Sequence, residues 1–303
     1  MKEIVKITIG LATTCLVAGI ILGAVFISTE KARKHNAHLR EQETMREILG
    51  YDIHNPAPSD LMFREIYRYT VQDSNSQCIG YLLPVWEEKQ TAYNLLLLNL
   101  DGSLAGRYTV SIPPDKVNDE FERGLALKKS LRNMAFSYAD SMVVALKGGK
   151  RVAYIIPGKF SGFKTFIQVM LAVDPAFHVL GLEILESEED PGLGGEIEQD
   201  YFKNQFTGKS FERLKSLKVV KAPMPERYRL YLERKKYEET VLSKTEIERI
   251  RHLYRDADIY AITGATISSK AVTNGVQAMV TKFAYRIRTL DKIIAQENIA
   301  VSF

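Results

Sequence analysis

Ile7 to Thr29 (ITIGLATTCLVAGIILGAVFIST) contains no charged residue, and charges bracket it on both sides: Lys2, Glu3 and Lys6 before, Glu30, Lys31, Arg33 and Lys34 after. A helix of about 20 apolar residues crosses the hydrocarbon core of a bilayer. The run is longer than the core of a cleaved signal peptide and lacks a clean A-x-A site, which favours an uncleaved anchor over that rival. Gly19 and Gly23 stand at G-x-x-x-G spacing. That spacing lets another helix approach closely, although glycines are common in membrane helices in any case. Lys31, Arg33, Lys34 and Arg40 outnumber Lys2 and Lys6, so the positive-inside rule alone puts the large C-terminal part in the cytoplasm.

Beyond the anchor the pattern changes. Residues 30 to 49 are charged and helix-forming, with apolar positions too sparse for a coiled coil and Gly50 as a stop. Asn55-Pro56-Ala57-Pro58 reads as a loop. Two later stretches then resemble each other. Tyr81-Leu82-Leu83-Pro84 recurs as Tyr154-Ile155-Ile156-Pro157, and Leu98 to Asp101 (LNLD) recurs as Leu171 to Asp174 (LAVD), all at an offset of 73 without a gap. Each unit reads as two apolar strands and an Asp-led turn, with Gly106 and Gly181 preceding a third strand and 115 to 139 as a helical connector. Duplication and chance likeness between β-meanders both account for this. Pro191-Gly192-Leu193-Gly194-Gly195 is a tight loop. Residues 225 to 257, charged in both signs, read as one or two solvent-facing helices. Ser269 to Ile294 reads as an amphipathic helix with Val272, Val276, Met279, Val280 and Phe283 on one face; Gly275 inside it costs about 1 kcal/mol relative to Ala.

Composition removes several function classes. The 303 residues are 46% hydrophobic and 26% charged with a formal charge of only +4, ordinary values for a globular chain. No basic stripe interleaved with aromatics accompanies that charge, so nucleic acid is not an expected partner. Two distant cysteines and five histidines without an HExxH pattern argue against a disulfide framework, a CxxC redox pair and a zinc site.

Chemistry concentrates in Thr263-Gly264-Ala265-Thr266-Ile267-Ser268-Ser269-Lys270. Small residues let a large group approach the backbone of this turn. Ser268 or Ser269 is placed to cap the following helix. The free amides of a first helical turn favour a phosphate, and Thr266 sets a hydroxyl beside it. A phosphate there is either bound or covalently joined. The same string also suits a plain glycine turn with a serine cap.

Thr263-Gly264-Ala265-Thr266 resembles the flavinylation motif of the FMN-binding domain family, which includes the RnfG component of the Rnf electron transport complex and the NqrC component of the sodium-translocating NADH:quinone reductase. Glu189-Asp190-Pro191-Gly192-Leu193-Gly194 resembles that family's E-T-P-G-L-G loop, and Gly162-Phe163, Leu180 to Leu185 and Gln205-Phe206-Thr207-Gly208-Lys209 fall in the family's order. Ser268 to Val272 leans toward the Rnf protein. The resemblance covers 1 to 50 loosely and 142 to 295 well. It implies FMN joined to Thr266 by a phosphoester, with Thr263, Gly264 and Ala265 shaping the turn. Glu189, Leu193 and Gly194 would line the isoalloxazine, Ser268 and Lys270 would lie on the phosphate side, and Phe163 is available to stack or to join the core.

The implied protein is a membrane-anchored electron-transfer subunit of an Rnf-type ion-translocating complex, with no catalytic residue or metal of its own. Its partners are other membrane subunits, lipid and a flavin transferase. The family's flavin domain is extracytoplasmic, in conflict with the charge count; the expected site is the inner membrane, single-pass, with the C-terminal domain outside the cytoplasm. Two departures stand out. The family's Asp six residues before the modified Thr is Tyr260 here, with Asp258 the nearest acid. Segments 61–141 and 221–257 look like additions. The alternatives are the NqrC component of the quinone reductase and a flavin-free scaffold of the same fold. The expected architecture is α+β: transmembrane anchor 1–29, juxtamembrane helix and linker 30–60, an additional β-rich unit with helical connector 61–141, and an FMN-binding domain 142–303 carrying the charged insertion 221–257.

Overall fold

The computed structural model describes residues 2–73, 76–87, 90–132, 134–233 and 242–303. It divides into two units, Met1–Glu47 and Ile48–Phe303. The first consists of helix α1 (Lys2–Ile48) as far as Glu47, and the helix runs without a break through both the apolar run and the charged stretch after it. Its Lys2–Glu30 portion contains an 18-residue stretch of mean hydropathy 2.3 and is long and apolar enough to cross a membrane. Gly50, at φ +83°, follows its end.

The second unit is built on an eight-stranded antiparallel sheet. Its strands are β1 (Leu61–Gln72), β2 (Gln77–Glu87), β3 (Gln90–Leu98) and β4 (Leu104–Val110), then, after helix α2 (Glu120–Leu131), β5 (Ala135–Lys147), β6 (Lys150–Ser161), β7 (Phe166–Val173) and β8 (Val179–Glu186). The order across the sheet is β4-β3-β2-β1-β5-β6-β7-β8. Two four-stranded meanders therefore meet back to back at β1 and β5. Ser141 and Met142 both lie inside β5. The helical part of the 115–139 connector is confined to α2, capped by Asp119, whose side chain accepts from the Glu122 amide. The two meanders differ in register: Tyr81 faces Leu96, but Tyr154 faces Val173 rather than Val169. The gapless offset thus fails across the hairpin, because the second hairpin is longer beyond its proline: Pro84 faces Tyr93, whereas Pro157 faces Met170. The Asp-led turns do form. Asp101 accepts from the Ser103 amide, and Asp174 from the Ala176 and His178 amides. Gly106 and Gly181 lie within β4 and β8, not ahead of them.

Successive strand residues face opposite sides, and two cores result. Tyr67, Tyr69, Leu82, Leu95 and Leu97 pack with Leu127 and Leu131 of α2. Arg123 of α2, buried, donates to the Tyr69 hydroxyl and the Val117 carbonyl and lies over the Tyr67 ring. On the other face, Ile66, Leu83, Leu96, Val144, Val169 and Leu171 pack with helix α7, Thr266–Gln296, through Val272, Val276, Val280, Phe283, Ile287 and Leu290. Gly275 has a packing role in that helix: a Cβ there would overlap the Phe160 ring, so the glycine sets how closely α7 meets β6. Where β2 is no longer paired with β1, the C-terminal tail takes over, with Trp86 N donating to Ala300 O and Ser302 N to Pro84 O.

Between β8 and α7 come a 3₁₀ turn (Gly194–Glu198) and α3 (Asp200–Lys203), then α4 (Phe211–Lys215), β9 (Val219–Val220), α5 (Glu226–Glu233), α6 (Lys244–Tyr254) and β10 (Ile259–Tyr260). Of the charged insertion 221–257, residues 234–241 lie outside the described residues.

Candidate functional site

The two singled-out loops, far apart in sequence, meet at the N-terminal end of α7, and Glu189 joins them. Its carboxylate is buried. Oε1 accepts from the amides of Phe163 (2.7 Å) and Lys164 (3.1 Å), just past the end of β6, and Oε2 accepts from the Ser268 hydroxyl in the first turn of α7. Gly194 makes room: a Cβ there would lie 2.6 Å from Glu189 Oε2 and 2.8 Å from Ser268 Oγ. Both oxygens of Glu189 are thus engaged by the protein itself.

The Pro191–Gly195 loop is closed by Leu193 N and Gly195 N, both donating to Asp190 O (3.1 and 2.9 Å), with Gly192 at φ +71°. Lys164 pairs with Asp190 at the surface. Leu193 is left 46% exposed and reaches over Gly264, where a Cβ would sit 2.9 Å from Leu193 Cδ2. Gly264 also has φ +80°, which disfavours any residue with a Cβ.

Helix α7 begins at Thr266, earlier than the apolar periodicity indicates, and neither serine caps it. Ala265 occupies the N-cap position without a side-chain hydrogen bond. Ser269 Oγ instead accepts from Ile262 N (3.0 Å) and donates to Ala265 O (2.9 Å), closing the turn on itself. Thr263 and Gly264 are exposed, Ala265 is buried and Thr266 is half-buried. Lys270 is exposed. Phe163 and Ile267, 59% and 58% exposed, add apolar surface to the same neighbourhood.

Gln205 and Lys209 carry no individual role in the sequence reading, and the structure supplies one for each. Gln205 binds both backbone groups of Tyr260, accepting from its amide (2.7 Å) and donating to its carbonyl (3.2 Å). Lys209, 2% exposed, donates through Nζ to Ala257 O (2.6 Å) and Arg255 O (3.3 Å). Burial, with the nearby Arg213 charge adding to it, lowers its ammonium pKa to about 8. β10 pairs in parallel with β9. Together these contacts fix the chain that enters the turn. Buried lysines carry no mark of periodicity, so only the matching string pointed here. Asp258 is committed elsewhere: it pairs with Arg213 at 2.5 Å and accepts from Lys218 N at 2.9 Å. Tyr260 directs its ring to the Tyr228 ring, 6.0 Å away.

A helix start without a side-chain cap, behind a small-residue turn and next to a half-buried threonine hydroxyl, suits a phosphate group. The exposed Leu193, Ile267 and Phe163 suit an apolar ring beside it.

The model of the FMN-binding domain matches residues 162–281. The G component of the proton-translocating ferredoxin:NAD(+) oxidoreductase complex of Clostridium ljungdahlii is 32% identical over 136 residues, 45% of this chain and 56% of that protein. The G component of the Na(+)-translocating ferredoxin:NAD(+) oxidoreductase complex of Acetobacterium woodii is 30% identical over 138 residues, 45% of this chain and 52% of that protein. The chain thus spans little more than half the length of these two relatives. The C component of the Na(+)-translocating NADH-quinone reductase of Vibrio campbellii is 25% identical over 231 residues, 75% of this chain and 80% of that protein. The crystal structure of Shewanella oneidensis NqrC aligns at 17% identity and TM-score 0.35, covering 61% of this chain and 76% of that one. Residues 162–281 match the FMN-binding domain, and the chain shows distant homology to RnfG and to NqrC.

Proposed function

We propose that this chain is the membrane-anchored electron-transfer subunit of an Rnf-type ion-translocating oxidoreductase, with FMN attached through its phosphate to Thr266 Oγ1. FMN, when bound, supplies the one-electron redox chemistry. The observation that carries the reading is the meeting of the Thr263–Thr266 turn with the Glu189–Gly194 loop at the uncapped start of α7. In this reading Thr263, Gly264 and Ala265 form the cradle for the phosphate. The first-turn amides of α7 and the exposed Lys270 offset its charge. Leu193 lies against the ring, and Gly194 and Ser268 hold the loop in place. Glu189 acts behind them as a positioning residue. Covalent attachment suits a carrier that must not dissociate while it exchanges electrons with neighbouring subunits.

The apolar helix Lys2–Glu30 holds the chain in the inner membrane, with the FMN domain on the extracytoplasmic face where a flavin transferase modifies it. Protease protection in vesicles of known orientation tests that placement; digestion only from the cytoplasmic face overturns it. In-gel flavin fluorescence after denaturation tests the attachment. The wild-type band fluoresces when the transferase is co-expressed, Thr266→Ala is dark, and a dark wild type sinks the carrier reading. Co-purifying subunits separate the Rnf complex from the quinone reductase, whose C component aligns over the longer stretch.

One observation favours a second reading, a flavin-free membrane scaffold of the same fold: Tyr260 stands where the family has Asp, and Asp258 is tied to Arg213. Under that reading wild type is dark and Tyr260→Asp gains fluorescence.

A further inference from the structure

A cleft of about 550 Å³ opens between α7 and the sheet, within the ~300–1,000 Å³ usual for small-molecule sites. Along α7 it is bounded by Gly275 and Arg286, so it is separate from the turn at Thr263–Thr266. Its walls divide by chemistry. The floor is apolar, formed by Met142, Ile156, Phe160, Met279 and Phe283. The remaining lining includes four cations, Arg68, Lys159, Lys282 and Arg286, against the single carboxylate of Asp140.

That carboxylate is shared. Arg68 grips it through Nε (2.6 Å) and Nη2, and Arg286 Nη1 reaches the same group at 3.3 Å. Lys159 lies over the Phe166 ring, 4.9 Å from its centroid. Lys282 is exposed and makes no ion pair among the described residues. It stands one helical turn from Arg286, and like charges at that spacing repel. The mouth of the cleft therefore carries positive charge that Asp140 does not balance. A neutral ligand would leave this excess standing and a cation would add to it; an anion relieves it.

We propose that this cleft binds an amphipathic carboxylate: an apolar hydrocarbon body over Ile156, Phe160 and Met279, and a carboxylate between Lys282 and Arg286. Arginine forks bind carboxylates through two parallel hydrogen bonds, as Arg68 does with Asp140. Met142 and Met279 allow the floor to adapt to the shape of the body.

The test uses the full chain in lipid nanodiscs and a decanoate carrying a diazirine, with peptide mass spectrometry after irradiation. Expected is labelling of the 156–160 and 279–286 peptides that unmodified decanoate competes away, with the matching diazirine alcohol labelling them about fivefold less or weaker still. Lys282→Glu, a change at an exposed position, should lower carboxylate labelling by a similar factor. Equal labelling by acid and alcohol, labelling unaffected by Lys282→Glu, or labelling confined to the Lys2–Glu30 helix would each overturn the proposal.

Discussion

The Ser268 hydroxyl donates to the Glu189 carboxylate across 79 residues of chain, tying the start of α7 to the glycine loop. Removing that carboxylate leaves two part-buried amide bonds unmade and strands a buried hydroxyl. Glu189→Ala should therefore cost about 3 kcal/mol, read by denaturant unfolding. It should also lower flavin incorporation while Thr266 is intact. Ser268→Ala, which removes one donor and leaves the two amide bonds, should cost no more than ~1 kcal/mol.

Gly264 is constrained twice, by its backbone and by Leu193 above it. Gly264→Ala should cost about 1–2 kcal/mol for the left-handed backbone alone, beyond the clash. Adding Leu193→Ala should restore the part due to the clash and not the part due to φ. Full rescue by the second change would show that the backbone term is absent.

Two glycines at the interface of β6 and α7 should respond unequally. A Cβ at Gly275 meets the Phe160 ring, which is flat and packed, whereas at Gly158 it meets the end of the flexible Met279 side chain. Gly275→Ala should lose about 1–3 kcal/mol as an overpacked core does. Gly158→Ala should lose clearly less, because Met279 can change rotamer. Thermal melts of the two variants side by side give the comparison.

Lys209 makes stability depend on pH with a definite sign. Its folded pKa of about 8 lies below the ordinary 10.5. Below pH 8 both states hold the proton and the cost of burying the charge is complete. Between pH 8 and 10.5 the unfolded chain binds more protons, so the Lys209 contribution to stability rises with pH. The rise should approach about 3 kcal/mol across the window. Lys209→Met should flatten it, which unfolding midpoints measured at both ends would reveal.

Strands and the closing helix are legible in the sequence because apolar spacing follows the faces they bury; Val272, Val276, Val280 and Phe283 lie on the sheet as their periodicity requires. The meeting of the two loops is legible only through the motif strings. The helix start departs from expectation because a serine hydroxyl can cap a helix or bond back to the preceding turn, and Ser269 does the second. Nothing in one sequence separates these outcomes. The slip between the two hairpins is hidden for a related reason: matching strings report residue likeness, whereas register depends on how far each hairpin extends past its proline. The cationic cleft draws residues from β1, β5, β6, β7 and α7, a convergence that only the tertiary fold creates.

The symmetric strand order carries a kinetic consequence. Six of the seven strand pairings in the large sheet join chain neighbours, and only β1 with β5 brings distant segments together. Hairpins close within microseconds, while non-local pairing waits on chain entropy. The two meanders should thus assemble independently and early, leaving the central seam as the slow event of sheet formation and the place where a half-made molecule exposes open edges to its neighbours.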